Sequence, residues 1–225
     1  MENRNFNILI IEDMPLFIDV YKMYFEAFED QKKLWRFSIT EGNNCDKAIS
    51  ILTGQVPAEG FDLAILDYRI KPSWDGKYLS GEDIGRYIRE KFPRTHILFN
   101  AHCEKTIIRG LLKNINPEGI VLKNESTGEV VMRAVTEILL GGYYYGKSVL
   151  KTMKLPFETD LILDEWDRKL LYELDRGTKT THIPNILPLS LSSVARRKKR
   201  LKEIFEVEGD EDRELLEKAK MVGFL

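Results

Sequence analysis

Carboxylates stand at the ends of two apolar, strand-like runs in the first half of this sequence. The run DLAILDYRI, residues 62–70, carries Asp67 near its far end, and the run FNILIIEDMP, residues 6–15, ends in Glu12 and Asp13. A lone Asp at such a position commonly just begins a turn, because its side chain bonds its own backbone. The second acidic pair favours a different interpretation, in which two buried parallel strands bring three acids to one edge of a sheet.

A cluster of three carboxylates is repulsive and therefore costly unless a cation neutralises it. Ligand sets made only of oxygen atoms prefer hard ions, and among these Mg²⁺ fits best. The sequence therefore predicts a Mg²⁺ site formed by Glu12, Asp13 and Asp67.

Strand-like and helix-like segments alternate through the rest of the first half. The runs HILFNA and GIVLK are typical of further strands, and helical spacing of apolar residues is found in IDVYKMYFEAF, CDKAISIL, GEDIGRYIREKFP and TGEVVMRAVTEILLGG. The glycines that end the last segment suit a helix C-terminus. This alternation predicts an α/β fold with a doubly wound parallel sheet.

Over about the first 145 residues, the chain resembles the receiver domains of two-component response regulators. The resemblance rests on Glu12 and Asp13 after the first strand, Asp67 after the third, the segment HILFNAH, and Lys123 after the fifth. It implies a five-stranded parallel sheet of the flavodoxin-like type. It also implies that a sensor histidine kinase phosphorylates Asp67.

The resemblance further assigns a role to each residue at the expected sheet edge. The implied Mg²⁺ ligands are Glu12, Asp13, Asp67 and the backbone carbonyl of Arg69. Lys123 and Asn100 would bind the phosphoryl oxygens. Since a carboxylate is a weak nucleophile, catalysis of its phosphorylation depends on positioning and on charge neutralisation.

Three features depart from the receiver pattern. Asn100 stands where the family carries Ser or Thr, and Ile120 stands where it carries Tyr or Phe, three residues before the lysine. The loop IKPSWDGKYLSGED after Asp67 is longer than usual. We therefore expect intact phosphorylation chemistry but an altered mechanism of reading it out.

Length and composition indicate two domains of ordinary globular character. The chain has 225 residues, 43% of them hydrophobic, and a net charge of -2 that excludes a uniformly basic surface. No signal peptide or membrane-length apolar run is found, so a cytoplasmic protein without membrane contact is expected. We assign residues 1–146 to the receiver, 147–160 to a linker and 161–225 to a small all-α helix-turn-helix domain.

The third of four expected helices in this second domain, within LSLSSVARRKKRLKEIF, is strongly basic. A charge run is often only a solvated helix face, but this one follows a short helix and a turn and begins at a cap, Ser190 or Ser192. The domain resembles the LuxR/NarL-type output module over about 60 residues. The expected DNA-binding residues are Ser193, Arg196, Arg197, Lys199 and Arg200.

Together these features predict a response regulator and transcription factor that binds promoter DNA as a homodimer, with RNA polymerase as a further partner. An alternative is an atypical receiver that acts through protein contacts with weak or no dependence on phosphorylation. The protein is not expected to be an enzyme. An aspartyl-nucleophile phosphatase would carry a second Asp two residues after the nucleophile on its first strand, and EDMP lacks that pattern.

Overall fold

The computed structural model describes residues 4–32, 34–102, 105–154, 162–209 and 212–225, without the side chains of residues 31 and 32. These residues form two compact units, and the boundary between them falls between residues 155 and 156. None of the described helices combines the length and apolar character needed to cross a lipid bilayer.

The first unit is built on a six-stranded parallel sheet. Its strands are β1 (Arg4–Ile11), β2 (Trp35–Gly42), β3 (Leu63–Asp67), β4 (His96–Ala101), β5 (Gly119–Leu122) and β6 (Tyr144–Tyr145). Their spatial order is β2-β1-β3-β4-β5-β6. Strands β1, β3, β4 and β5 read as nearly continuous apolar runs because both faces of the sheet are buried.

Helices cover both faces of this sheet. They are α1 (Pro15–Lys32), α2 (Cys45–Gly54), α3 (Gly81–Lys91), α4 (Lys105–Asn114), α5 (Gly128–Leu139) and α6 (Lys147–Met153). Helices α1 and α5 share one core with alternate residues of the strands, including Ile8, Ile10 and Ile65. On the opposite face, Gly85 of α3 packs against Phe99 of β4. The expected doubly wound α/β architecture is confirmed.

Three elements of the first unit differ from the sequence expectations. Strand β2 was not located from sequence, because its alternately exposed residues mark a sheet edge. The sixth strand, β6, is only two residues long and too short for any periodic signal. Residues 147–153 were expected to belong to the linker but form α6, whose Val149 and Thr152 are buried in the first unit. Residues 155–160 of the expected linker lie outside the described residues.

The second unit contains α7 (Glu165–Asp175), a 3-10 turn (Ile183–Asn185), α8 (Leu191–Ile204) and α9 (Asp212–Met221). Asp164 caps α7 through a reciprocal pair of hydrogen bonds with Asp167, as its N-cap position predicts. The short helix expected before the basic helix, within TTHIPNIL (residues 180–187), is only the 3-10 turn. Pro184 lacks a backbone donor and Pro188 follows shortly after, so a longer helix cannot propagate there. One apolar core, including Leu171, joins all these elements.

Glu118 organises the amino-terminal edge of the sheet. Its Oε2 accepts hydrogen bonds from the Ile97 backbone N–H at 2.7 Å and from Arg89 at 2.6 Å, and His96 Nδ1 lies 4.0 Å from its Oε1. Burial by itself would raise the pKa of Glu118, but the donors of His96, Arg89 and Ile97 outweigh it and lower the pKa to about 2. The carboxylate therefore stabilises the fold only in its ionised form.

We expect Glu118→Gln to lower the free energy of unfolding at neutral pH by about 1.5–3 kcal/mol, the range for hydrogen bonds to a charged group. Because the pKa is depressed in the folded state, this stabilisation exists above the ordinary value of 4.5 and is lost as the pH falls from 4.5 towards 2. Urea denaturation of both proteins at several pH values should show the stability gap closing across that window. The exposed Glu90 provides the control, since Glu90→Gln should leave stability unchanged. A gap that stays constant with pH would contradict this role for Glu118.

Candidate functional site

The acidic residues predicted from sequence meet at the carboxyl ends of neighbouring strands. Glu12 directly follows β1 and Asp67 is the last residue of β3, and these two strands pair in parallel up to Ile11 and Leu66. Glu12 is 1% exposed and Asp67 3% exposed. Together with the half-buried Asp13, they place one carboxylate oxygen each within 4.8 Å of the others.

Lys123, which follows β5, supplies the cation of this edge. Its Nζ donates to both oxygens of Glu12, at 3.0 and 2.9 Å, and to Asp67 Oδ2 at 2.8 Å. The Lys123 side chain is only 7% exposed, and its ammonium lies 4.5 Å from the ring centroid of Phe17. The lysine is therefore a buried partner of two carboxylates rather than a solvated residue at the end of a strand.

The pKa values of this cluster show that Lys123 offsets the burial of its carboxylates only in part. Burial raises the pKa of Glu12 to about 7, with a further contribution from the charge of Asp67, although Lys123 opposes both. Burial also raises the pKa of Asp67, against the opposing effects of Lys123 and the Arg69 backbone N–H. For Lys123, burial lowers the pKa, but the two carboxylates outweigh this and the net shift is upward. One ammonium thus does not neutralise the site.

These residues fit the divalent cation that the sequence predicts. The donor set consists of carboxylate oxygens, which suits a hard ion such as Mg²⁺, and the uncompensated charge favours its entry. The Arg69 backbone N–H donates to Asp67 Oδ1 at 3.2 Å, which places the Arg69 backbone at the rim of the cluster. Glu12, Asp13, Asp67 and the Arg69 carbonyl therefore remain the candidate ligands.

Gly81, which the sequence analysis did not single out, holds Asp67 in place from the far end of the loop. A Cβ atom at this position would lie 1.8 Å from the Asp67 carbonyl oxygen, a distance that no side chain can accept. The Gly81 N–H donates to the Tyr68 carbonyl at 2.9 Å, and Ser80 caps α3. The start of α3 is thereby fixed against the end of β3. The only sequence signal was a glycine directly after the capping serine.

The long loop between Asp67 and Gly81 is held by hydrogen bonds within the loop and to α2. Ser73 Oγ donates to Asp75 Oδ1 at 2.6 Å and accepts from the Tyr78 N–H at 2.9 Å. The Trp74 N–H donates to both carboxylate oxygens of Asp46 on α2, at 3.3 and 3.0 Å. The Trp74 ring itself is 92% exposed.

The structure places Asn100 beside Asp67, because the two residues are partners in the β3–β4 ladder. Asn100 is 2% exposed, and its Nδ2 donates to the Ser126 hydroxyl at 2.5 Å. Its Oδ1 is buried without a hydrogen-bond partner among the described residues. Ile120, at the position of the family's aromatic residue, is completely buried in β5.

In the second unit, the basic helix α8 presents two different sets of cations. Arg196 and Lys199 lie on its exposed face, together with Ser192, Ala195 and Glu203. Ser190 is the N-cap and accepts from the Ser193 N–H at 3.2 Å. One of the two candidate caps named from sequence therefore has that role.

Arg197 and Arg200 point towards α7 instead. Arg197 pairs with Asp164 at 2.8 Å and with Asp167 at 2.7 Å, and Arg200 pairs with Asp167 at 2.5 Å. Asp167 has no exposed surface. These contacts differ from the expectation that both arginines face DNA, because a buried carboxylate on α7 requires their charge.

No protein-family model matches the chain, and no curated protein matches its sequence. Solved structures match nearly all of it. RcsB from Salmonella enterica serovar Typhimurium, bound to the promoter rprA in the presence of the phosphomimetic BeF3−, is 21% identical over 96% of this chain and 99% of that one, with a TM-score of 0.67. The same protein bound to the promoter P1flhDC is 20% identical over 97% and 100% of the two chains, with a TM-score of 0.60.

A third structure of the Salmonella typhimurium RcsB response regulator is 21% identical over 99% of this chain and 100% of that chain, with a TM-score of 0.63. The similarity therefore extends across both units. The chain has the fold of these response regulators, with a receiver-like α/β unit followed by a helical unit.

Proposed function

We propose that this chain is a DNA-binding response regulator whose activity is controlled by phosphorylation of Asp67. The observation that carries the proposal is the convergence of Glu12, Asp13, Asp67 and Lys123 at one edge of the sheet. A purely structural role does not explain why two buried carboxylates and a third acid share a single cation.

The chemistry is the transfer of a phosphoryl group from a phosphohistidine of a sensor kinase to an Asp67 carboxylate oxygen. The phosphorus–nitrogen bond breaks, an acyl phosphate forms, and the imidazole leaves with its electron pair. Lys123 already lies 2.8 Å from Asp67 Oδ2, so its ammonium can hold a phosphoryl oxygen as charge develops. Bound Mg²⁺ would supply the remaining charge neutralisation. Burial and the fixed end of β3 hold the Asp67 nucleophile in place.

The second unit supplies the DNA-binding surface in this proposal. Arg196 and Lys199 lie one turn apart on the exposed face of α8, and Ser193 lies in its first turn, where side chains of a recognition helix reach the major groove. Arg197 and Arg200, which were also expected to bind DNA, would instead hold α8 in position. The promoter-bound RcsB structures support this proposal, since that protein is bound to DNA in them. In this proposal the chain acts as a homodimer, with a sensor histidine kinase as phosphoryl donor and RNA polymerase as a further partner, and it would lie in the cytoplasm.

A second candidate is a regulator that works through protein contacts with little dependence on phosphorylation. Asn100 and Ile120 favour it, because the hydroxyl and the aromatic ring that response regulators use for their switch are absent from these positions. The two candidates differ in whether phosphorylation changes DNA binding, which a gel-shift titration with and without phosphoryl donor measures.

Acetyl phosphate with Mg²⁺ should label the wild-type protein, and the label should be removed by hydroxylamine, as expected of an acyl phosphate. Asp67→Asn should abolish this labelling because it removes the nucleophile. Asp75→Asn, in the adjacent loop, is the matched control and should label normally. Labelling of Asp67→Asn to the wild-type extent would show that another residue is the acceptor.

Mg²⁺ should raise the thermal stability of the wild-type protein, by about 2.7 kcal/mol at a concentration 100 times its Kd. Asp13→Asn should remove most of that gain and change the metal-free stability little, since Asp13 is half-buried. Thermal unfolding with and without Mg²⁺ measures both effects. Asp19→Asn, an exposed change on α1, is the control. An equal gain in Asp13→Asn would place the metal elsewhere.

Substitution by alanine should affect DNA binding at the exposed arginine of α8 and folding stability at the arginine that pairs with α7. Arg196→Ala should cost about 1–3 kcal/mol of discrimination between a duplex selected by the wild-type protein and a scrambled duplex. Arg197→Ala should instead lower the free energy of unfolding by about 1–3 kcal/mol, because it leaves buried Asp167 with one cation fewer.

Binding titrations at several salt concentrations, together with urea denaturation, separate these effects. Arg213→Ala, an exposed change on α9, is the control for both measurements. If Arg196→Ala left discrimination intact, α8 would not be the reading helix. If Arg197→Ala left stability intact, the ion pairs with α7 would not have the structural role assigned to them.

A further inference from the structure

Three residues of the segment Lys123–Ser126 each contact a different part of the first unit. We call it the β5–α5 turn, and it consists of the 3-10 helix Lys123–Glu125 and the following Ser126. Lys123 binds Asp67, and Ser126 accepts a hydrogen bond from Asn100. Glu125 reaches away from the acidic cluster and contacts α6.

The contact between Glu125 and α6 is made at the first turn of that helix. The Ser148 hydroxyl donates to Glu125 Oε1 at 2.5 Å, and the Ser148 backbone N–H donates to the same oxygen at 3.2 Å. The contact is close, since a Cβ atom on Gly146 would lie 2.8 Å from Glu125 Oε2. A carboxylate at this position satisfies a donor that a helix N-terminus otherwise leaves unpaired. Helix α6 is the last described element before the chain leaves the first unit.

The Asn100 amide is left incompletely satisfied beside Asp67. One of its two polar atoms bonds Ser126 while the other is buried without a partner among the described residues. The oxygen and nitrogen of an amide are exchanged by a flip, so either orientation leaves one atom unpaired. The unpaired oxygen can only accept, but Nδ2 has a second N–H besides the one that bonds Ser126, and Asn100 does not use the hydrogen of the Ser126 hydroxyl. Both groups can therefore donate to an acceptor that arrives next to them.

We propose that the β5–α5 turn reads the phosphorylation state of Asp67 and passes it to α6. In this mechanism, Ser126 supplies the hydroxyl that response regulators carry at the position of Asn100, and Asn100 positions it. Glu125 transmits the change to Ser148. The inference rests on the proposed function, since it requires that Asp67 accept a phosphoryl group.

This coupling would arise because the phosphoryl oxygens compete with existing acceptors for a small number of hydrogen-bond donors. A phosphoryl group on Asp67 adds acceptor oxygens that draw on the ammonium of Lys123, the amide of Asn100 and the hydroxyl of Ser126. Lys123 and Ser126 belong to one short turn, so rearrangement at either end also displaces Glu125. The hydrogen bonds between Glu125 and Ser148 then change, and with them the stability of the first turn of α6.

Hydrogen exchange of the α6 amides in the full chain, with and without acetyl phosphate and Mg²⁺, tests this mechanism. Labelling of Asp67 is measured first on the same samples. In the wild-type protein we expect phosphorylation to change α6 exchange by at least about threefold, as a local opening reports. Ser126→Ala should label normally yet lose this difference, and Ser126→Thr, which keeps the hydroxyl, should retain it.

Two further variants test whether a hydroxyl at position 100 can replace that of Ser126, and whether Glu125 transmits the change to α6. Asn100→Thr combined with Ser126→Ala returns a hydroxyl to the family position and should restore the phosphorylation-dependent change. Glu125→Gln should alter α6 exchange in both states and remove the difference between them. Ser38→Ala, an exposed serine on β2, is the matched control and should behave as wild type.

Each other outcome contradicts a specific part of the mechanism. A labelled Ser126→Ala protein with the wild-type difference would show that Ser126 does not read the phosphoryl group. Loss of labelling in Ser126→Ala alone would make Ser126 part of phosphoryl acceptance, not of readout. A labelled wild-type protein without any change in α6 would remove the transmission step. An unlabelled wild-type protein would refute the proposed function itself, and with it this inference.

Discussion

The structure of the first unit depends on one unbalanced interaction, the binding of two buried carboxylates by the single ammonium of Lys123. Taking Glu12 and Asp67 out of water is unfavourable, and the raised pKa of each shows that Lys123 offsets this only in part. The fold tolerates this imbalance because the parallel strands on which these residues lie are rigid and buried on both faces. A site held under such electrostatic stress responds strongly to any group that brings positive charge or takes up the ammonium, which is the behaviour required of a phosphorylation switch.

The second unit also contains a buried carboxylate, but there two cations share one acid, whereas in the first unit two buried acids share one cation. Asp167 is fully buried in α7, but there two arginines from α8 approach the same carboxylate, and the helix cap at Asp164 adds a second acid to the group. These pairs divide the basic residues of α8 between an inner set that fixes the helix and an outer set, Arg196 and Lys199, that remains on the surface. In the proposed function this division matters, because a recognition helix must be held rigidly while its outer side chains contact bases.

The departures from the receiver pattern acquire a common explanation in the β5–α5 turn. Asn100 lacks a hydroxyl, yet its amide holds the hydroxyl of Ser126, and Ile120 fills the core where the family's aromatic ring would move. The same turn contains Lys123, which binds Asp67, and Glu125, which binds Ser148 of α6. A change at Asp67 can therefore alter the contact with α6 through this turn. The proposed readout therefore runs along the chain towards the second unit, through hydrogen bonds, and does not depend on the swing of a ring.

The sequence by itself determined the α/β architecture, the gathering of Glu12, Asp13 and Asp67, and the position of α8. These follow from local pattern, since apolar runs define buried strands and parallel strands bring their carboxyl ends to one edge. The role of Lys123 came from the resemblance to receiver domains, and the structure chose Ser190 over Ser192 as the cap of α8. Only the tertiary structure decided that Gly81 must lack a side chain, that Ser126 bonds Asn100, and that Arg197 and Arg200 serve α7. Each of these depends on contacts between residues far apart in the chain, and neither propensity nor spacing carries information about which distant group a side chain will meet. Helix α6 and strand β6 were likewise decided only by the tertiary structure. Elements this short are stabilised by the surface they pack on, and their sequences are too short to show a periodic pattern.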